Sequence, residues 1–491
     1  MRCVLRLSRE AGADLMAGSV VNAFIDFCEK NAERIPAAFQ LIVDRLSEFG
    51  DLLAPVVMIG SKRNREFYLD GILALAVSAD IDVRRQAIMG LGHIAWEGAD
   101  FSDNRTREVL AKTIKDGKDD RVLAAAIRAT FALIRSDKEH RLELHSLVIQ
   151  AMQQGARYSL HAGAQQVMFD IDSLDDDFLY LALEQLERVA PTDTGTIDHI
   201  DYGLTKLFDS NRSDIGLVFL ERLLPIYQSD ADLFDSTISR IRQDALLCER
   251  AITRWFVSGN RALCEAAVAL VGSCYPEVPP LSIDSAELPI RDREHLLFLA
   301  RKVIGYLFIY PGTVVGLIVS IMRCTEDQEI LDEFSRLLFE SLLINYPGRT
   351  RECLEIYESQ EAGRVKAAIS QALSYLSDYR SGIEETPELA ALHVSQSHRE
   401  IRHRYESESM AKSMRAAEKK STFFNLVSRS ILLYGRKSIN YVYTSPGEKP
   451  HRQETPLVTH SFSSEYPGME VFDPYDLHYM INVFCLEKAP G

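Results

Sequence analysis

No two of the eight cysteines stand with the two-residue gap that zinc ribbons and dithiol redox motifs need. They lie at 3, 28, 248, 264, 274, 324, 353 and 485. In a chain this long they read as reduced, buried small hydrophobes of a cytoplasmic protein. A usable His-Glu-x-x-His pair, a Gly-rich phosphate loop and a nucleophile elbow are also missing, so no catalytic, metal or cofactor motif is expected. Net basic charge is absent: 55 Lys and Arg face 71 Asp and Glu, a balance of −16. That excess argues against nonspecific nucleic-acid binding by the surface as a whole. The uncharged run Val303 to Met322 has the length of a membrane span, but Pro311-Gly312 cuts it into two pieces of core-helix size. Met1 to Arg9 carries three arginines, and its apolar stretch is too short for a secretory signal, so it reads as an ordinary amino terminus. Tryptophan occurs twice, at Trp96 and Trp255, both at expected helix ends where packing is the plain role.

What is present is helical period. Apolar residues make up 46% and charged residues 26%, the balance of a folded chain rather than a disordered one. At 491 residues the chain exceeds one compact core, which leaves about three domains or one extended array. From about residue 19 to 390 apolar side chains recur at i, i+3, i+4 and i+7, as in Val20, Phe24 and Phe27, Leu179, Leu183 and Leu186, and Ile215, Val218 and Phe219. Asp, Asn, Gly and Pro punctuate the pattern at short breaks.

The helical pattern also repeats. Val83, Ala87, Ile88 and Ile94 find apolar counterparts 39 residues on, at Val122, Ala126, Ile127 and Leu133. Leu160, Ala164 and Met168 form a weaker third copy. Tyr310-Pro311-Gly312 and Tyr346-Pro347-Gly348 lie 36 residues apart, each between apolar helices. A period near 40 built from helix pairs is the signature of stacked helical repeats. Asp80-x-Asp82-Val83-Arg84, Ala87 and Leu91-Gly92 resemble the HEAT repeat family. The resemblance implies that the acid ends the turn between helices, that Val and Ala pack into the facing helix, and that Arg braces the turn acid of the next repeat. The strong match covers roughly 60 residues, two repeats.

The expected fold is therefore all-α: a right-handed α-solenoid of HEAT-like helix pairs with a small mixed α/β C-terminal appendage. The expected divisions are an N-terminal array over 1–275, a Pro-rich hinge over 276–292 and a second sub-array over 293–390. A charged helical segment over 391–435 and a strand-plus-helix appendage over 436–491 follow. Asp473-Pro474 supplies an N-cap and a first helical residue for a final amphipathic helix.

The main candidate for binding is basic. Arg399, Arg402, Arg404, Lys412, Arg415, Lys419, Lys420, Arg429, Arg436 and Lys437 share a stretch with four acids, a local balance of +6 that leaves −22 elsewhere. Three uses compete: a solvated helix with i, i+4 pairs such as Glu408 with Lys412, docking onto an acidic protein surface, and phosphate contacts with nucleic acid. No aromatic residues interleave the arginines in a way that would stack bases. The acidic run Asp170 to Asp177 lacks the glycine and distal glutamate of a calcium loop and reads as a helix start instead. His393, His398 and His403 recur every five residues, which turns them away from one metal-binding face.

The HEAT resemblance implies partner binding rather than one chemistry. The expectation is a non-catalytic scaffold or adaptor with a protein partner. By the habit of the family it would be an accessory subunit of a bacterial multi-protein complex, such as a defence complex. The alternative is nucleic-acid binding or sensing through 399–437. The third class, an enzyme with an unrecognised site, would announce itself as a buried convergent cluster of ionisable groups.

Overall fold

The computed structural model describes residues 1–11, 16–31, 33–95, 104–137, 139–227, 231–272, 281–386, 395–420, 427–433, 437–442, 451–456 and 465–490. They divide into two compact units, Met1–Ile330 with His478–Gly491, and Leu331–Leu477. Trp96, Pro276, Pro279, Pro280, His393 and Arg436 lie outside the described residues.

The first unit opens with α1 (Arg2–Ala11), α2 (Met16–Glu29), α3 (Arg34–Asp44), α4 (Leu46–Phe49), α5 (Leu53–Ser61) and α6 (Arg65–Ala76). It continues with α7 (Ile81–Leu91), α8 (Asn104–Asp116), α9 (Asp120–Ser136), α10 (Arg141–Gln154), α11 (Arg157–Phe169) and α12 (Asp176–Leu186). Then come α13 (Thr194–Asp209), α14 (Ser213–Ile226), α15 (Asp235–Gln243), α16 (Ala245–Ser258), α17 (Arg261–Gly272), α18 (Arg293–Leu307) and α19 (Pro311–Met322).

Local chemistry sets the helix starts. The side chains of Asp80, Asp119, Asp175, Asp244 and Asp292 each accept a hydrogen bond from a first-turn N–H of the helix that follows. Pro311 occupies the first turn of α19, where its missing N–H costs nothing. The run Val303 to Met322 is two helices, and α19 is buried from Thr313 to Met322. Among the described residues no helix is long and apolar enough to cross a membrane.

Packing runs between neighbouring and next-but-one helices. α9 meets α7, α8, α10 and α11, α11 meets α13, and α13 meets α15. α8 meets α10, α10 meets α12, and α16 meets α18. A helix thus touches its successor and its next-but-one neighbour. The 39-residue register lands on this interface: Ala87, Ile88, Ile94, Val122, Ala126, Ile127 and Leu133 are buried, as are Leu160, Ala164 and Met168. Gly92, at the end of α7, lets α9 come close, because a Cβ there would sit 2.9 Å from Ala129 Cα.

Polar links cross the same interval. Arg105 reaches Asp70, Arg135 reaches Asp170 and Arg222 reaches Glu187, each 35 residues apart. Arg157 reaches Asp193 over 36 residues, and Arg254 reaches Glu221 over 33. Asp120 accepts from the N–H groups of Ala156, Tyr158 and Ser159, so a carboxylate of α9 caps α11. Asp201 does the same for Ser236 and Thr237. The expected brace from Arg84 goes elsewhere: its Nε donates to Ser78 O, six residues back.

The described part of the Pro-rich stretch, 281–292, belongs to the first unit. Ser282 N donates to Glu249, Ile283 N to Ser320 and Asp284 N to Thr253, at 2.8, 2.8 and 2.9 Å. With its backbone groups bonded to α16 and α19, this segment has little freedom to act as a joint. The division between the units falls at 330/331 instead.

α20 (Gln328–Leu337) runs across that division. The second unit continues through a π-helical turn at Leu338–Leu343 into α21 (Pro347–Gln360), α22 (Gly363–Glu385) and α23 (Gln396–Lys420). Strands β1 (Val427–Leu433), β2 (Lys437–Val442) and β3 (His451–Pro456) form an antiparallel sheet in that order, with Ile431 opposite Ile439 and Ile439 opposite Glu454. α24 (Gly468–Phe472) and α25 (Pro474–Leu486) close the chain. Asp473 caps α25 through the N–H of Asp476. The end of α25 and the residues after it rejoin the first unit: Glu487 takes a forked pair of bonds from Arg301 at 2.8 and 2.6 Å, and Lys302 Nζ donates to Cys485 O at 2.6 Å.

Candidate interaction surface

α23 carries most of the basic stretch and is held at one point. The guanidinium of Arg402 lies 4.5 Å from the centre of the Tyr466 ring and pairs with Glu406 at 3.1 Å. The neighbouring Glu465 accepts from the N–H groups of Gly348 and Arg349, at 2.6 and 2.8 Å, and so caps α21. Asn345 ties the same strap down, its backbone oxygen taking Gly468 N and its side chain Met469 N. Arg402 is therefore a structural residue of this element.

The other cations of α23 are freer. Arg399, Arg404, Lys412 and Arg415 are exposed. At 100° per residue, Arg404, Lys412, Arg415 and Lys419 share an arc of about 80°. Glu408 falls inside that arc, which dilutes the stripe. Arg429 stands in β1 opposite Tyr441, and Lys437 begins β2 opposite Leu433. The described basic residues thus span a helix and a sheet. Ile401, Tyr405, Met410 and Met414 are exposed on the same helix.

Three acids of the run 170–177 serve as caps or ion-pair partners. Asp170 meets Arg135 at 2.6 Å, Asp175 takes Phe178 N, and Asp176 meets Arg212 at 2.9 Å. His398 and His403 are exposed on α23. Among the described residues no group of three His, Cys, Asp or Glu is arranged to hold a metal ion. Burial pushes the Cys264 thiol up to about 12 and raises Cys28, Cys324, Cys353 and Cys485 as well, so these sulfurs stay protonated and poorly nucleophilic. Trp255 is fully buried, in keeping with a packing role.

Two features lie beyond what periodicity reveals. An apolar groove of about 1000 Å³ opens among α1, α2 and α3, lined by Leu7, Phe24, Phe27 and Leu41. Phe27 is 55% exposed there, with the Arg34 guanidinium over its ring at 4.0 Å. Helical spacing marks Phe27 as apolar-face but cannot say that the face is uncovered. The second feature is a run of arginine clamps on helix ends. Arg188 donates to Met152 O, Gln153 O and Gly155 O, Arg212 to Ile171 O and Leu174 O, and Arg242 to Ala269 O and Leu270 O. Each places positive charge on carbonyls near the end of a helix or helical turn, the negative end of its dipole.

No family model and no curated protein matches this chain. Among solved structures it is similar to an engineered protein from the Northeast Structural Genomics Consortium, at 15% identity, with 77% of this chain and 99% of that chain covered and a TM-score of 0.25. A likeness at that level carries no inference about fold or function.

Proposed function

We propose that the chain is a non-catalytic α-solenoid scaffold of HEAT-like helix pairs that works in the cytoplasm by gripping a protein partner. One observation carries the reading: apolar contacts, carboxylate caps and arginine clamps recur between elements about one repeat apart along the first unit. Exposed ion pairs contribute under about 1 kcal/mol each, so they set register more than stability. The apolar faces supply the stability, at about 25 cal/mol per Å² buried. A stack built this way leaves helix faces and inter-helix grooves available along its length, the kind of surface that binds macromolecules. Membership of a bacterial multi-protein complex, including a defence complex, follows from the HEAT resemblance alone.

The test is purification of the full chain from its own cells, with nuclease treatment and with Arg404, Lys412, Arg415 and Lys419 changed to Glu. A stoichiometric protein that survives both treatments supports the scaffold. The shared arc of those four cations favours the second reading, nucleic-acid binding along α23. That reading predicts retained nucleic acid whose affinity falls steeply with salt and vanishes in the charge-reversed variant.

A further inference from the structure

A second groove lies between α10 and α12, about 560 Å³ in volume, with an apolar middle and an acidic end. Its lips are Leu142, 80% exposed, and Leu181, 49% exposed. Its floor is Phe178, on which the His145 ring stacks at 4.1 Å with 21° between planes. Asp175 and Asp177 stand at one end. Large aliphatic side chains held in water on both sides of a slot are an unmet apolar surface.

The electrostatics are one-sided. Asp177 has no partner among the described residues, and Asp175 spends one oxygen on the N–H of Phe178. The two nearby arginines are occupied. Arg212 holds Asp176 and two backbone carbonyls, and Arg141 donates to Ser173 O and, at 3.5 Å, to His145 Nε2. His145 is buried at 4% exposure. Its burial lowers the imidazole pKa, with Asp175 opposing and Arg141 adding to the effect, so the ring brings no positive charge at neutral pH. Because Arg141 donates to Nε2, the ring proton belongs on Nδ1. That Nδ1 lies 3.2 Å from Asp175 Oδ2, yet off the direction of a hydrogen bond, and is left without a bonded partner. The imidazole is thus a packing surface of the groove, stacked on Phe178, and the charge of the site is that of Asp175 and Asp177.

We propose that this groove docks a segment of the protein partner in which a large aliphatic side chain stands beside a Lys or Arg. The aliphatic group fills the space between Leu142 and Leu181 over Phe178, and the cation meets Asp175 and Asp177. Nucleic acid is disfavoured here, since its phosphates would face two carboxylates. The proposal rests on the scaffold reading and names the chemistry of its partner.

The experiment uses the full chain and two fluorescent twelve-residue peptides of Leu and Ala, one carrying Lys and the other Glu, followed by anisotropy. The expected result is at least tenfold tighter binding of the Lys peptide. Asp177→Lys reverses that preference, Asp177→Asn narrows it, and Leu142→Asp with Leu181→Asp weakens both peptides tenfold or more. Unchanged melting temperatures for the variants exclude misfolding. Equal affinity for both peptides, or affinity indifferent to these substitutions, overturns the proposal. So does hydrogen-exchange protection of 142–153 that grows with protein concentration in the absence of peptide, because the occupant is then a second copy. Either outcome leaves the scaffold standing if substitutions at the repeat interfaces still act locally, whereas loss of that locality removes the scaffold whatever the peptides do.

Discussion

Asp120 shows how one side chain joins two helices that are distant in sequence, α9 and α11. Burial raises its pKa, but the Ser159 hydroxyl and the N–H groups of Ala156, Tyr158 and Ser159 outweigh that and hold it below the ordinary carboxylate value. Asp120→Ala should cost about 2 kcal/mol in urea unfolding at neutral pH, the range for bonds to a charged group. A depressed folded pKa gives stability that is present above the unfolded value and lost as pH falls through the folded one. The gap between wild type and Asp120→Ala should therefore shrink in acid, and a gap that widens there would contradict the assignment. Gly92→Ala should cost about 1–3 kcal/mol, because the new methyl meets the backbone of Ala129 rather than a side chain that can swing away. Calorimetry on that single variant checks it. The caps by Asp80 and Asp119 are legible in the sequence, since a cap and its N–H groups lie within three residues. The partner of Asp120 lies 36 to 39 residues on and becomes visible only when the helices are stacked. Gly92 is legible as part of a family motif, while its reason, Ala129, is not.

Among the elements, the arginine clamps are the features that single-helix reasoning misses. Arg188 lies past the end of α12 and closes carbonyls at the end of α10. Arg188→Ala should speed amide exchange around 150–157, and Arg188→Lys should rescue it in part, because an ammonium cannot fork across several oxygens. Equal exchange in both variants and wild type would mean that the clamp does nothing. α23 behaves oppositely. Its weak apolar stripe is plain from composition, and its side chains are exposed apart from the half-buried Arg402 and Ala411 among those described. Changing Arg415 alone to Gln should accordingly leave stability within about 0.5 kcal/mol in urea unfolding. The Tyr466 contact that pins Arg402 was not legible, because 64 residues separate the pair and no period links them.

At the scale of the molecule, the helical class and the 39-residue register could be read from apolar spacing, since period and burial are one property seen twice. The unit boundary could not. Proline content pointed to 276–292, but prolines mark turns whether or not the turn is bonded to its neighbours, and residues 282–284 are bonded to α16 and α19. The return of residues 478–490 to the first unit depends on Arg301 and Glu487, 186 residues apart, which no local pattern reports. In a stack each repeat is coupled mainly to its neighbours, whereas one enclosed core couples all its parts. Native-state hydrogen exchange on Asp120→Ala separates the two cases directly. A stack gives faster exchange in α9 and α11 with α16 to α18 unchanged; uniform acceleration through the whole of the first unit would mean a single enclosed core instead.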